Sequence, residues 1–245
     1  TYAAYAWKAN GGTTSTNSNG NIDSTVQANT TAGFSILTFT ADGASKTVGH
    51  GLSSTPVLTI RKKRDASSDW FVHTTAIDGS MDYLKLNDTN AASNSSLGAF
   101  TSTVSGADDN TNTYVVYCFH PVQGYSQIGT FTGSGSDLGS EQSDGAFVYT
   151  GFKPAWLMFK RTDSTSNWCL VDHKRLGYNP DIPEFRPNLA NAEGNTTDDI
   201  LDLVSNGFKI RTTSGDFGGG TGNFVYMAFA EHPFVSSKGV PVTAR

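Results

Sequence analysis

Pro154-Ala-Trp-Leu-Met-Phe-Lys-Arg-Thr-Asp-Ser-Thr-Ser-Asn-Trp168 lies without a gap over Pro56-Val-Leu-Thr-Ile-Arg-Lys-Lys-Arg-Asp-Ala-Ser-Ser-Asp-Trp70, at an offset of 98 residues (56 to 154). Proline, lysine, aspartate and tryptophan stay in register between the two stretches. A second word occurs three times: Tyr2-Ala-Ala-Tyr-Ala-Trp7, Tyr114-Val-Val-Tyr-Cys-Phe119 and Phe224-Val-Tyr-Met-Ala-Phe229. Its copies are spaced by 112 residues (2 to 114) and 110 residues (114 to 224). Self-similarity of this kind marks a β-rich unit of about 110 residues present twice, preceded by the last strand of a third copy.

The repeated word alternates on a strand, with Tyr114, Val116 and Cys118 on one face and Val115, Tyr117 and Phe119 on the other. Both faces are apolar, as in a central strand covered on both sides. The third residue of the first face is always small (Ala6, Cys118, Ala228), and the second face always ends on a large aromatic.

Composition agrees with an all-β chain. Only 37% of the 245 residues are hydrophobic, yet 11% are aromatic, so Tyr, Phe and Trp must supply much of the core. Gly, Ser, Thr and Asn fill the intervals, which favours short strands joined by turns. The net charge of −5 argues against nucleic-acid binding. No apolar stretch reaches the 18 residues that a membrane span requires. Cys118 and Cys169 stand at non-equivalent places in the two copies, which argues for buried free thiols over a repeated disulfide framework. The chain begins at Thr1, inside a repeat's last strand and with no leader, as a C-terminal piece of a longer protein would.

Strands are predicted at 34–40, 57–63, 69–75, 82–87, 99–104 and 113–119. In the second copy they fall at 126–132, 146–150, 155–161, 167–172, 207–212 and 223–229. Each proline heads its strand, where the missing N–H costs least. Asp65 to Asp69 and Asp163 to Asn167 supply hairpin turn chemistry. One short helix is expected near 197–206: Thr196 or Thr197 can cap it, Ile200, Leu203 and Val204 share a face, and Gly207 can close it.

The expected architecture is two tandem antiparallel β-sandwich repeats of jelly-roll or lectin-like type. Residues 1–8 are the last strand of a preceding repeat or a strand completing the first domain, and 9–32 are a polar connector. Residues 33–122 form the first repeat, 123–235 the second, and 236–245 an extended C-terminal tail.

The run Phe147-Val-Tyr-Thr-Gly-Phe-Lys-Pro-Ala-Trp-Leu-Met-Phe-Lys-Arg-Thr-Asp-Ser-Thr-Ser-Asn-Trp168 resembles a repeat in tail-fibre and other virion proteins of marine bacteriophages, those of cyanobacteria and of marine heterotrophs. Leu203-Val-Ser-Asn-Gly-Phe-Lys-Ile-Arg211, Tyr226-Met-Ala-Phe-Ala-Glu-His-Pro-Phe234 and the closing Phe234-Val-Ser-Ser-Lys-Gly-Val-Pro-Val-Thr-Ala-Arg245 extend the likeness over most of 33–245. The resemblance implies a structural protein of the extracellular phage particle, part of a tail fibre or appendage. Its expected partners are copies of itself (fibres are commonly trimeric), other virion proteins and a host-surface glycan or protein. The resemblance transfers no catalytic or binding residue. A capsid decoration or filament subunit with no host ligand is the alternative, and a polysaccharide-degrading spike a third.

No cofactor, metal or catalytic residue is assigned. The five histidines lack metal-ligand spacing. His120-Pro121 and His232-Pro233 sit at strand exits, with the rings expected against the sheet end. Asp172, Asp181 and Glu184 share one loop-rich region and are the candidates for the paired carboxylates of a glycosidase, which stand about 5–9 Å apart. Trp7, Trp70, Trp156 and Trp168 offer flat faces for sugars, but their apolar strand positions mark them as core. Arg61-Lys62-Lys63-Arg64 reads as a solvated hairpin tip, with a polyanion or acidic-glycan contact as the sharper alternative. Recognition belongs in loops that differ between the copies, 133–146 and 174–196. In the second of these, Tyr178, Asn179 and Phe185 lie among Pro180, Pro183 and Pro187 and are the candidate binding residues, with folding over the domain's own core as the equal alternative.

Overall fold

The computed structural model describes residues 3–44, 46–107, 110–134, 145–175, 179, 183–194 and 200–233. The protein is all-β, built from antiparallel sheets, with a single 3-10 turn at Gly215–Phe217 and no other helix among the described residues. Among the described residues no helix is long and apolar enough to cross a membrane. Contacts divide it into two compact units. The first draws on Thr1–Thr75, Gly79–Tyr83 and Asn94–Pro121, the second on Ala76–Asp78, Leu84–Ser93 and Val122–Arg245.

Ten strands come before residue 120: β1 (Ser15–Asn17), β2 (Ser24–Asn29), β3 (Phe34–Thr40), β4 (Lys46–Gly49), β5 (Leu58–Lys63), β6 (Phe71–Thr74), β7 (Asp82–Lys85), β8 (Ser93–Asn94), β9 (Val104–Ala107) and β10 (Thr113–Phe119). An eight-stranded sheet runs β1-β2-β3-β10-β5-β6-β7-β8, and β4 pairs with β9. The repeated word is β10, central between β3 and β5. Tyr114, Val116 and Cys118 point inward to a core shared with Leu37, Phe39 and Val26 of the large sheet and Val48 and Ala107 of the small one.

Seven more strands follow: β11 (Ser126–Thr132), β12 (Phe147–Tyr149), β13 (Pro154–Arg161), β14 (Trp168–Asp172), β15 (Leu201–Val204), β16 (Gly207–Ile210) and β17 (Asn223–Ala230). They form the sheets β11-β17-β13-β14 and β12-β16-β15. Here the repeated word is β17, between β11 and β13. Phe224, Tyr226 and Ala228 meet Leu157, Phe159 and Val171 of the same sheet and Val148, Leu201, Leu203, Phe208 and Ile210 of the other.

Strand order β3-β10-β5-β6 thus recurs as β11-β17-β13-β14. The hairpin aspartates recur with it. Asp65 accepts the backbone N–H of Thr113 at 2.8 Å, and Asp163 accepts that of Asn223 at 3.2 Å. Each caps the first residue of its central strand. The prolines stand where expected: Pro154 is the first residue of β13, and Pro56 precedes β5.

Several expectations are corrected. The stretch 197–206 is not a helix where it is described: Leu201–Val204 is β15, paired with β16 through the turn at Ser205 and Asn206. Leu201 and Leu203 are buried while Asp202 and Val204 are half-buried, a period of two that the helical pattern concealed. Gly207 is no helix cap. A Cβ there would lie 2.0 Å from the Val148 carbonyl oxygen, so glycine permits β12 and β16 to approach.

Residues 9–32 are not a plain connector. They hold β1 and β2, because Val26 and Ser24 alternate inward and the polar residues between them face out. Ser24 Oγ donates to the Gly49 carbonyl at 2.6 Å, which accommodates a buried hydroxyl. Gly20 has φ of 94° and lies against the Thr47 backbone, where a side chain has no room. Residues 3–8 form no strand; Trp7 packs edge-on against Phe119 at 6.2 Å, the very residue it matches in the repeat. The strand predicted at 99–104 begins only at Val104. The tail 236–245 lies outside the described residues.

Candidate functional site

In the second unit, β14 ends at Asp172, and the chain then folds back across its edge. The buried Asp172 carboxylate accepts the backbone N–H groups of Lys174 (2.9 Å) and Arg175 (3.2 Å), an Asx-type turn. It also pairs with the Arg175 guanidinium, which reaches Glu193 and donates to the Pro183 carbonyl at 2.7 Å. The same guanidinium lies 3.9 Å from the Phe185 ring centroid, a stacked cation–π contact. Phe185 exchanges both backbone hydrogen bonds with Leu170 (2.8 and 2.9 Å), so the loop extends the sheet by one residue. One arginine thereby joins both ends of the loop and its aromatic residue.

Several other described residues of the loop also have partners. Asn188 Oδ1 accepts the Trp168 backbone N–H at 2.9 Å, and its Nδ2 donates to Asn167 at 2.7 Å. Asn179, exposed itself, spends its whole amide on β15: Nδ2 donates to the Leu203 carbonyl (2.9 Å) and Oδ1 accepts the Leu203 N–H (3.0 Å). Glu184 is buried. Arg186 stands 3.9 Å from one of its oxygens and 3.9 Å from Asp216, and a Cβ on Gly194 would intrude on the carboxylate at 2.4 Å. Residues 189–193 remain exposed, with Leu189 at 39%.

Of the three predicted binding residues, Phe185 and Asn179 are thus brought to this loop and used to pin it. Tyr178 lies outside the described residues, as does Asp181. The sequence did not single out Arg175 and Arg186. The available signal was two arginines among four carboxylates, Asp172, Asp181, Glu184 and Glu193, in a proline-rich stretch. For hydrolysis one carboxyl must offer a proton while its mate stays clear to attack or activate water. Here Asp172 is occupied by three donors, and Glu184 faces a guanidinium.

Residues 1–233 match the family described as Domain of unknown function (DUF7483). The chain belongs to the DUF7483 family. No curated protein and no solved structure matches it. The DUF7483 match runs through both copies of the internal repeat as one stretch, from the segment before β1 to the exit of β17.

The remaining candidates in this DUF7483 chain have structural partners. His50 is fully buried; its Nδ1 accepts the Leu52 N–H (3.1 Å), so Nε2 carries the proton and donates to the Thr101 carbonyl (3.0 Å). Burial holds His50 below the usual histidine range, and burial with Arg61 nearby pushes His73 down to about 3. His120 donates from Nδ1 to the Thr55 carbonyl at 2.7 Å, and His232 is half-exposed. His173 Nε2 lies 2.9 Å from Glu231, whose carboxyl burial would raise, but Lys153 and His173 hold it below the ordinary value.

Trp156 and Trp168 are buried, while Trp7 and Trp70 are half-buried. The basic run does not form one patch, because strand alternation divides it. Arg61 is buried and donates to the Gly106 carbonyl at 2.8 Å, Lys62 lies on the opposite face, and Arg64 is exposed. Lys160, the counterpart of Lys62, is wholly buried; burial pushes its ammonium down to about 8 against the pull of Asp216 and Asp88.

Proposed function

We propose that the chain is a non-enzymatic structural protein of a bacteriophage particle, a repeat-containing part of a tail fibre or appendage that attaches to a host surface. Its place is the extracellular virion, and its working form is a homo-oligomer bound to other virion proteins. The observation that carries this reading is the loop after β14, in its described residues 172–175, 179 and 183–194. It differs between the copies, Arg175 locks its base, and 189–193 are left exposed. A rigid loop on a fixed scaffold suits recognition, since little ordering entropy is lost on contact. Many weak contacts on one particle then gain avidity. The resemblance to marine phage virion repeats supplies the setting.

The test is adsorption. Purified chain, added to phage and host, should lower the adsorption rate in proportion to dose, and labelling of intact particles should place the chain on the tail. Undiminished adsorption at saturating dose, with label on the capsid shell, would reject attachment in favour of a decoration role.

A further inference from the structure

We propose that the outward face of the first unit's sheet binds an acidic saccharide, with Arg64 receiving the sugar carboxylate. This rests on the attachment reading and names a ligand class and a site for it.

The face follows from register. Thr113 opposes Thr40, and Thr25 opposes Thr38. Their neighbours Tyr114, Phe39, Leu37 and Val26 enter the core, so these four threonines all point outward. Extending the β2–β3 register places Asp23 across from Thr40, and the Arg64 N–H donates to the Thr113 carbonyl at 2.9 Å. One row therefore reads Asp23–Thr40–Thr113–Arg64 across four strands, about 14 Å from end to end. The six side chains line an open trough of about 340 Å³.

The next row is Thr25–Thr38–Val115–Lys62, with the Lys62 ammonium 5.9 Å from the Trp70 ring centroid. The second unit shows what this position can do. Its equivalent pair, Lys160 and Trp168, is buried; Lys160 donates to the Arg161 carbonyl and Trp168 to that of Lys85. In the first unit Lys62, whose ammonium donates to the Ser68 carbonyl, and Trp70 are half-exposed, and Arg64 beside them is exposed.

The chemistry selects the ligand. Threonine hydroxyls both donate and accept, as sugar hydroxyls do, and Asp23 accepts from a hydroxyl pair. A guanidinium fork takes a carboxylate in two parallel hydrogen bonds. Trp70, beside Lys62, adds aromatic surface at the end of the second row. A densely charged polyanion suits the trough poorly, because Asp23 lies in it and the chain carries a net charge of −5.

Calorimetric titration of the chain with sialyllactose, a trisaccharide carrying one carboxylate, with its methyl ester and with inorganic phosphate tests the site. The acid form should bind, and the ester about tenfold more weakly or not at all, since one charge-assisted bidentate contact is lost. Arg64→Gln should lose the acid form by a similar factor with unchanged circular dichroism, and Thr40→Val should weaken both forms. Lys174→Gln, in the second unit, should bind as the parent does. Equal affinity of parent and Arg64→Gln, preference for phosphate, or no saccharide binding would overturn the proposal. Adsorption assays separate the two readings. A chain that blocks adsorption equally well as Arg64→Gln and binds no saccharide keeps attachment and loses this site. One that binds the acid form through Arg64 without blocking adsorption keeps the site and loses attachment.

Discussion

The indole N–H of Trp168 donates to the backbone carbonyl of Lys85 at 2.8 Å, across 83 residues of sequence. Two further backbone bonds accompany it: Ala92 N–H to the Thr162 carbonyl (2.8 Å) and Ser166 N–H to that of Thr89 (2.9 Å). These bonds hold Leu84–Ser93 within the second unit. A tryptophan buried to 2% exposure must pair its polar edge, and here it pairs with a segment from the other copy's sequence. Trp168→Phe keeps most of the volume but orphans a carbonyl. We expect a loss of about 1–3 kcal/mol in urea unfolding, with faster amide exchange at Ala92 and Ser166. An unchanged midpoint and unchanged exchange would mean the bond contributes nothing.

Acid should weaken the fold well above the carboxylate range. His73 has a folded pKa of about 3 against 6.5 unfolded, and His50 is shifted in the same direction. A depressed folded pKa means that the unfolded chain binds the proton first. The stability is complete above pH 6.5 and declines as pH falls toward the folded value, by roughly 1.4 kcal/mol per unit for His73, with His50 acting in the same direction. Glu231 and Asp163 join only below their unfolded values of 4.5 and 3.8. Between pH 6.5 and 4.5 the slope thus belongs to the histidines. Denaturation midpoints for His73→Gln should fall less steeply in that window, and a slope equal to the parent's would show that His73 does not titrate as described.

The repeated words disclosed the central strands because their both-sided apolar alternation survives in β10 and β17, and the hairpin aspartates were legible because both copies retain them. β2 was hidden because only Val26 among its six residues is strongly apolar, and β15 because Ile200, Leu203 and Val204 satisfy a helical spacing as well as a strand's. Arg175 was invisible for another reason. Its partners are contributed by Asp172, Pro183, Phe185 and Glu193, and no periodicity records a hub whose spokes are irregularly spaced.

Gly207 is required by space and not by φ. Gly207→Ala places a methyl 2.0 Å from the Val148 carbonyl oxygen, a backbone atom that cannot turn aside. The β12–β16 pairing must open, at a cost of about 3 kcal/mol. Thermal unfolding should show a correspondingly lower midpoint, and Asn206→Ala, one residue earlier, should cost clearly less. Parity between the two variants would refute the close approach.

Cys118 and Cys169 should be silent to thiol reagents in the native state. Burial pushes the Cys118 thiol up to about 12 and Cys169 well above its usual value, so neither forms thiolate near pH 8. With a chromogenic disulfide reagent, native protein should release no colour over an hour, and two equivalents should appear in denaturant. Rapid native reaction of either thiol would show that its strand opens readily.

Arg175 should govern the loop more than any residue the loop displays. Its side chain is 15% exposed and serves two carboxylates, one carbonyl and one ring. Arg175→Ala leaves Asp172 buried without its counter-charge, which costs about 3–5 kcal/mol when nothing relaxes to meet it. Relief comes from opening the loop, so the expected outcome is new proteolytic cleavage within 183–194 at a global stability lowered by less than that sum. Arg175→Lys keeps the charge but not the planar fork, and it should restore only part of the protection. Phe185→Leu, which removes the stacked ring and keeps the backbone pairing with Leu170, should leave the loop largely resistant. If the alanine variant resisted protease as the parent does, the loop would owe its order to the sheet-edge hydrogen bonds alone, and the rigidity on which attachment was argued would have a different source.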